Sequence, residues 1–118
     1  MAVTELDFSF QTDKPMTIRD AWAHSGVVGS GDMEVLVRRS GNQGRAVFRI
    51  ETKVKGFDNV WKSVLERFVA TEQLGNVEVD INDNAASPPV VVRRLQQAIE
   101  NAGGLETLNS KGISVHEN

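Results

Sequence analysis

The residues with the most chemical potential lie together in the run His24-Ser25-Gly26-Val27-Val28-Gly29-Ser30-Gly31-Asp32. Successive backbone N–H groups in a glycine-rich run can form a nest for an anion such as phosphate. Glycine also lets the backbone take positive φ or come close to another group. The run lacks the lysine and the spacing of a Walker A loop, and a strand pattern follows it where a nucleotide site needs a helix. On these residues alone two readings stay open: an exposed serine held out for modification, and a plain turn or bulge between two strands. A Ser-His-Asp hydrolase using His24, Ser25 or Ser30 and Asp32 finds little support. Residues along one strand do not easily converge into a triad, and no Gly-x-Ser-x-Gly elbow is present. The histidines, His24 and His116, have no neighbours at ligand spacing, so no metal site is expected. No catalytic residue is assigned. Trp61 and Trp22 could stack a ligand, but Trp61 sits in a helical stripe and reads as core.

The elements that must position this run follow from periodicity. A short first strand is expected at Leu6-Asp7-Phe8-Ser9-Phe10, then a polar loop to Pro15. A second strand is expected over 21–28, interrupted by Gly29 to Asp32. Segments 34–38 and 47–54, joined by the turn formers Ser40-Gly41-Asn42-Gln43-Gly44, read as a hairpin. In the latter segment Phe48, Ile50, Thr52 and Val54 alternate with Arg49, Glu51 and Lys53, which places the first set toward the core. Beyond Gly56 the period becomes helical: Phe57, Val60, Trp61, Val64, Leu65, Phe68 and Val69 form one buried stripe, with Asp58 as N-cap and Gly75 as stop. Residues 76–81 alternate as a strand and 82–87 form a loop. Ser87-Pro88 then opens a second helix with the stripe Val91, Leu95, Ala98, Ile99 and Ala102, ended by Gly103-Gly104. The pairs Glu66-Arg67, Arg38-Arg39 and Arg93-Arg94 read as solvated faces.

The expected order is β-β-β-α-β-α with a further short N-terminal strand. This is an α+β class: an antiparallel sheet of four to five strands with two helices packed on one face. Residues 1–118 are expected to form one domain, with a core over about 5–103 and a loose tail over 104–118.

Composition narrows the function classes. A net charge of -3 and a pI near 5.3 disfavour nucleic acid, whose phosphates call for clustered Lys and Arg. No apolar run is long enough for a membrane span and no signal peptide opens the chain, so a cytoplasmic protein is expected. There is no cysteine. Disulfides, thiolate metal sites and a polypeptide thiol nucleophile are therefore excluded. Any thioester chemistry would need a thiol brought by a cofactor.

The segment Val27-Val28-Gly29-Ser30-Gly31-Asp32-Met33-Glu34-Val35-Leu36 resembles the prosthetic-group site of the acyl carrier (delta) subunits of malonate decarboxylase. Gly56-Phe57, Val60-Trp61 and Val64-Leu65-Glu66-Arg67-Phe68 resemble that family's first helix. Ala86-Ser87-Pro88 with Val90 to Leu95 and Ala98-Ile99-Glu100 resemble its second. The resemblance spans about residues 5–101; the segment around Asp13 to His24 and the tail after Gly103 depart from it. Carrier subunits of citrate lyase share a similar Ser-Gly-Asp site but lack this helical pattern, and stand as the alternative beside a non-catalytic interaction module.

The resemblance implies a carrier without catalysis of its own. Its arm would be 2'-(5''-phosphoribosyl)-3'-dephospho-CoA, joined through a phosphodiester to Ser30, with Gly29, Gly31 and Asp32 as supporting residues. Ser25, which lacks a following aspartate, does not match the acceptor position. Acetyl on the arm's thiol would be exchanged for malonyl by an acyl transferase subunit, and decarboxylase subunits would remove carbon dioxide. A prosthetic-group transferase would load the arm. Tethering would keep the acyl group at high effective concentration for successive sites.

Overall fold

The computed structural model describes residues 3–108 and 114–115. Its strands are β1 (Thr4–Phe10), β2 (Met16–Ile18), β3 (Trp22–Gly26), β4 (Asp32–Arg39), β5 (Ala46–Thr52), β6 (Val77–Asn84), β7 (Leu105–Leu108) and β8 (Ser114–Val115). Two helices, α1 (Asp58–Glu72) and α2 (Pro88–Asn101), complete the order. The main sheet runs β1-β5-β6-β4-β3, and a small second sheet runs β2-β7-β8.

The α+β class with two helices holds, but the main sheet is mixed and not antiparallel. Strands β5 and β6 pair in parallel, Phe48 beside Val79 and Ile50 beside Ile81. The cause is α1: a helix between two neighbouring strands returns the chain to the starting edge, so the second strand must run the same way. The hairpin expected from 34–38 and 47–54 does not form either. β6 lies between those strands, pairing with β4 on one side and β5 on the other. The turn-rich residues 40–45 instead arch over the start of β6. Asn76 holds the arch, its side-chain oxygen accepting the Gly44 N–H at 2.9 Å and its carbonyl the Ser40 N–H at 2.8 Å.

Alternation decides which sheet face is covered. Met33, Val35 and Val37, Ala46, Phe48 and Ile50, and Val77, Val79 and Ile81 are all buried and share one face. Trp61, Leu65, Phe68 and Val69 of α1 and Val91, Leu95 and Ala98 of α2 pack against them. The other face is a polar ladder, with Arg38 paired to Asp80 at 2.8 Å and Arg49 to Glu78 at 3.3 Å. Exposed pairs of this kind contribute little to stability.

Helix ends follow local chemistry with two corrections. Phe57 is the N-cap of α1 and Asp58 its first residue, and α1 ends in a left-handed Gln73 ahead of Gly75. Phe57 and Val60 are exposed, not core, because the stripe reaches past the sheet end there. α2 begins as expected, with Ser87 as N-cap and Pro88 at the first position.

The expectation of a loose tail from 104 fails at Leu105–Leu108, which pairs with Met16–Ile18. Ile18 and Thr17 are fully buried there, and Leu105 packs against the same core that Ile18 joins. The remaining tail residues, 109–113 and 116–118, lie outside the described residues, as does His116.

Candidate modification site

Ser30 stands in the connection between β3 and β4, at the sheet end where β6 finishes and α2 begins. Gly29 accepts the Asp32 N–H on its carbonyl at 3.0 Å, which closes a four-residue turn around Ser30 and Gly31. Gly31 has φ +73 while Ser30 keeps ordinary backbone, the pattern of a type II turn with glycine at the third position. The corner residue of such a turn points into solvent. Ser30 is exposed, and among the described residues its hydroxyl has no hydrogen-bond partner.

The turn's two glycines differ. A Cβ on Gly31 would meet nothing within 4 Å, so its requirement is the positive φ alone. Gly29 has neither a positive φ nor crowding beyond Val27 at 3.7 Å. The Gly31 N–H is spent on the Asn84 carbonyl at 2.8 Å, which fastens the turn to the end of β6. A full anion nest is therefore absent; the N–H groups of Gly29 and Ser30 remain without an acceptor among the described residues.

Asp32 does not turn back to the serine. Its Oδ1 accepts the Met33 N–H at 2.7 Å and the Arg94 Nε–H at 2.8 Å, and its Oδ2 accepts from Arg94 Nη2 at 2.5 Å. The Arg94 hydrogen bonds, then the Met33 N–H, hold the Asp32 carboxyl down at about 2, against an ordinary 3.8. Ion pairing with Asp32 raises Arg94 in turn. A two-pronged guanidinium–carboxylate pair fixes direction as well as distance. Arg94, expected as a solvated helix position, is thus committed to the serine's loop.

The rest of this end is tied to α2 as well. Ser25 is buried and donates its hydroxyl to the Arg94 carbonyl at 2.5 Å, which removes it as a rival acceptor of a modifying group. Asn101 donates to the His24 carbonyl at 2.8 Å, and Arg94 Nη1 to Gln97 at 2.7 Å. Gly26, at φ +78, lies where a Cβ would sit 2.0 Å from the Met33 carbonyl and 3.2 Å from Arg94 Cδ. Only glycine leaves that passage clear. His24 is exposed, with Glu34 at 3.6 Å, and belongs to the polar ladder, away from any triad.

Sequence reading missed Arg94, Gln97, Asn101 and Gly26. The three polar residues recur at i, i+3 and i+7 beside the buried stripe of α2, a signal of one polar row that could have been followed.

Comparison with known proteins places these features in one family. The family described as Malonate decarboxylase delta subunit (MdcD) matches residues 20–102. The chain is 42% identical over 104 residues to a malonate decarboxylase acyl carrier protein of Malonomonas rubra, covering 88% of this chain and 93% of that protein. A protein of the same description from Acinetobacter calcoaceticus is 38% identical over 95 residues, covering 80% and 92%. In the solved crystal structure of a Pseudomonas malonate decarboxylase hetero-tetramer in complex with malonate, one chain superposes with a TM-score of 0.72 at 36% identity. That match covers 85% of this chain and 99% of the other.

Proposed function

The chain belongs to the malonate decarboxylase delta-subunit family, and from that premise we propose that it is the acyl carrier of such a complex, bearing its arm on Ser30. One observation carries the residue assignment: Ser30 offers an exposed hydroxyl, without a partner among the described residues, at the corner of a turn whose flanks are both anchored. Among the described residues no base is hydrogen-bonded to that hydroxyl, which suits an anchor and not a catalytic nucleophile.

The arm we assign is 2'-(5''-phosphoribosyl)-3'-dephospho-CoA, and the residues present fit it. The space around the turn is open at Gly31, and the N–H groups of Gly29 and Ser30, without an acceptor among the described residues, stand beside the serine. When bound, the arm supplies the thiol that a cysteine-free chain lacks, and with it the thioester chemistry of acyl transfer and decarboxylation. The chain's own residues do three things. Ser30 contributes its oxygen to the phosphodiester. Gly31 sets the turn that holds this oxygen outward. Asp32 anchors the turn's downstream side to α2 through Arg94. Catalysis of the acyl cycle falls to partner subunits, an acyl transferase and a decarboxylase, and loading falls to a prosthetic-group transferase.

Intact mass of protein purified from its native host tests the assignment. The expected result is an increment larger than phosphopantetheine, located by peptide mapping on Ser30. The Ser30→Ala variant is expected to melt at the wild-type temperature, to carry no increment and to support no malonate decarboxylation. Native-host protein that sustains the activity with Ser30 unmodified overturns the proposal.

A further inference from the structure

The geometry points to Arg94 as a positioning residue for Ser30: a latch on α2 that holds the serine's turn in the orientation the loading enzyme must meet. The inference rests on Ser30 being the attachment residue. It goes further by naming what aims that residue.

The connection between β3 and β4 spans residues 27–31, and its own backbone holds it at few points. Those are the turn bond from Asp32 to Gly29 and the bond from Gly31 to Asn84. Val27 and Val28 are exposed. The loop's flanks sit in the sheet, Ser25 and Gly26 beside β4 and Asp32 beside β6. One residue of α2 ties both flanks to the helix layer. Upstream, the Arg94 carbonyl accepts from Ser25 at 2.5 Å; downstream, the Arg94 guanidinium grips both oxygens of Asp32. Between these points the arginine stem crosses Gly26, whose missing side chain makes room for it. Gln97 then holds the remaining Nη1 at 2.7 Å, so the guanidinium plane is set from both sides.

Helix α2 is itself seated in the core through Val91, Leu95 and Ala98. The latch therefore transfers the rigidity of the core to an exposed hydroxyl. Lysine could supply the charge here but not the fork, because an ammonium cannot span two carboxylate oxygens in a fixed plane. Asp32 and Gln97 take hydrogen bonds from Nε, Nη2 and Nη1, so Arg94 acts through the loop it holds. Misplacement of a reacting group by about 1 Å costs on the order of 100-fold in rate.

The test compares wild type with Arg94→Met, Arg94→Lys and Asp32→Asn, produced in the native host and as unmodified protein. Arg94→Met keeps the stem over Gly26 and the backbone carbonyl that receives Ser25. The first readout is the rate at which unmodified protein gains the arm's mass on Ser30 when incubated with host extract. Arg94→Met and Asp32→Asn are expected to slow it by roughly 10- to 100-fold, chiefly in kcat, and Arg94→Lys to fall between. The second readout needs no loading: amide hydrogen exchange at Gly31 and Asp32, the turn's hydrogen-bonded N–H groups, is expected to accelerate by about tenfold or more in Arg94→Met while exchange in β5 and α1 stays at wild-type rates. Equal loading rates and equal exchange in wild type and both Arg94→Met and Asp32→Asn overturn the latch. Should Arg94→Met unfold, Asp32→Asn decides alone, since it removes the pair without touching α2. Wild type that never gains mass on Ser30 overturns the attachment reading instead, and the exchange experiment still judges the latch.

Discussion

Ser30 draws its character from its neighbours. The hydroxyl is ordinary; what distinguishes it is a turn that leaves it unpaired. Gly31 sustains that turn through φ +73, a backbone state that costs an L side chain about 1–2 kcal/mol. Gly31→Ala is therefore expected to lower stability by about that amount and to slow loading of Ser30, whereas Gly29→Ala should lie within about 0.5 kcal/mol of wild type. Denaturant melts of the two variants check the contrast. Asp32 carries a second prediction. Its folded carboxyl titrates at about 2 against 3.8 unpaired, so above pH 3.8 both folded and unfolded chains hold it ionised and the pair's stabilisation is whole. As pH falls from 3.8 toward 2 the unfolded chain takes up the proton first, and the contribution drains away. An NMR titration of the Asp32 carboxyl should show its midpoint near 2 in wild type, moving up toward 3.8 in Arg94→Met.

At the scale of elements, the site is a meeting of strand ends. The end of β6 receives the Gly31 N–H on Asn84, and the next residues are organised by buried Asp83. Asp83 accepts from the Thr52 hydroxyl at 2.8 Å and from the N–H groups of Ala85 at 3.2 Å and Ala86 at 3.0 Å. One carboxylate thus joins the end of β5, the end of β6 and the entry to α2. Asp83→Ala would leave those donors unmet, at a cost of about 1–3 kcal/mol, and should also raise hydrogen exchange at Gly31, one strand away. A variant with full stability and unchanged exchange at Gly31 would separate this junction from the serine's turn. Much of this scale was legible beforehand. The stripe of α2 and the alternation Phe48, Ile50, Thr52 follow from side-chain period alone, because a helix and a strand each repeat on their own axis. Strand partners were not legible. The turn formers between residues 40 and 45 suit a hairpin as well as an arch, and nothing local says that β6 will enter between β4 and β5.

For the whole molecule, the sheet has one face for the core and one end for the modification site. Both helices cover the apolar face, which leaves the polar ladder outward on the other face and Ser30 at one end. Among the described residues no helix is long and apolar enough to cross a membrane. The sequence by itself determined the α+β class, the two helical stripes, the want of a thiol and the serine between glycines. Each depends on residue type and spacing over a few positions, where local physics is sufficient. It also carried the resemblance that the comparisons bear out. Only the tertiary structure decided the mixed sheet, the covering of Ile18 by Leu105–Leu108 and the commitment of Arg94 to Asp32. Those are agreements between residues far apart in the chain, 62 positions in the last case. Periodicity reports which side of an element faces inward; what it meets there is settled when the elements pack. Ser30 itself needed both levels: its turn is local, and its aim is set by a helix that the chain reaches much later.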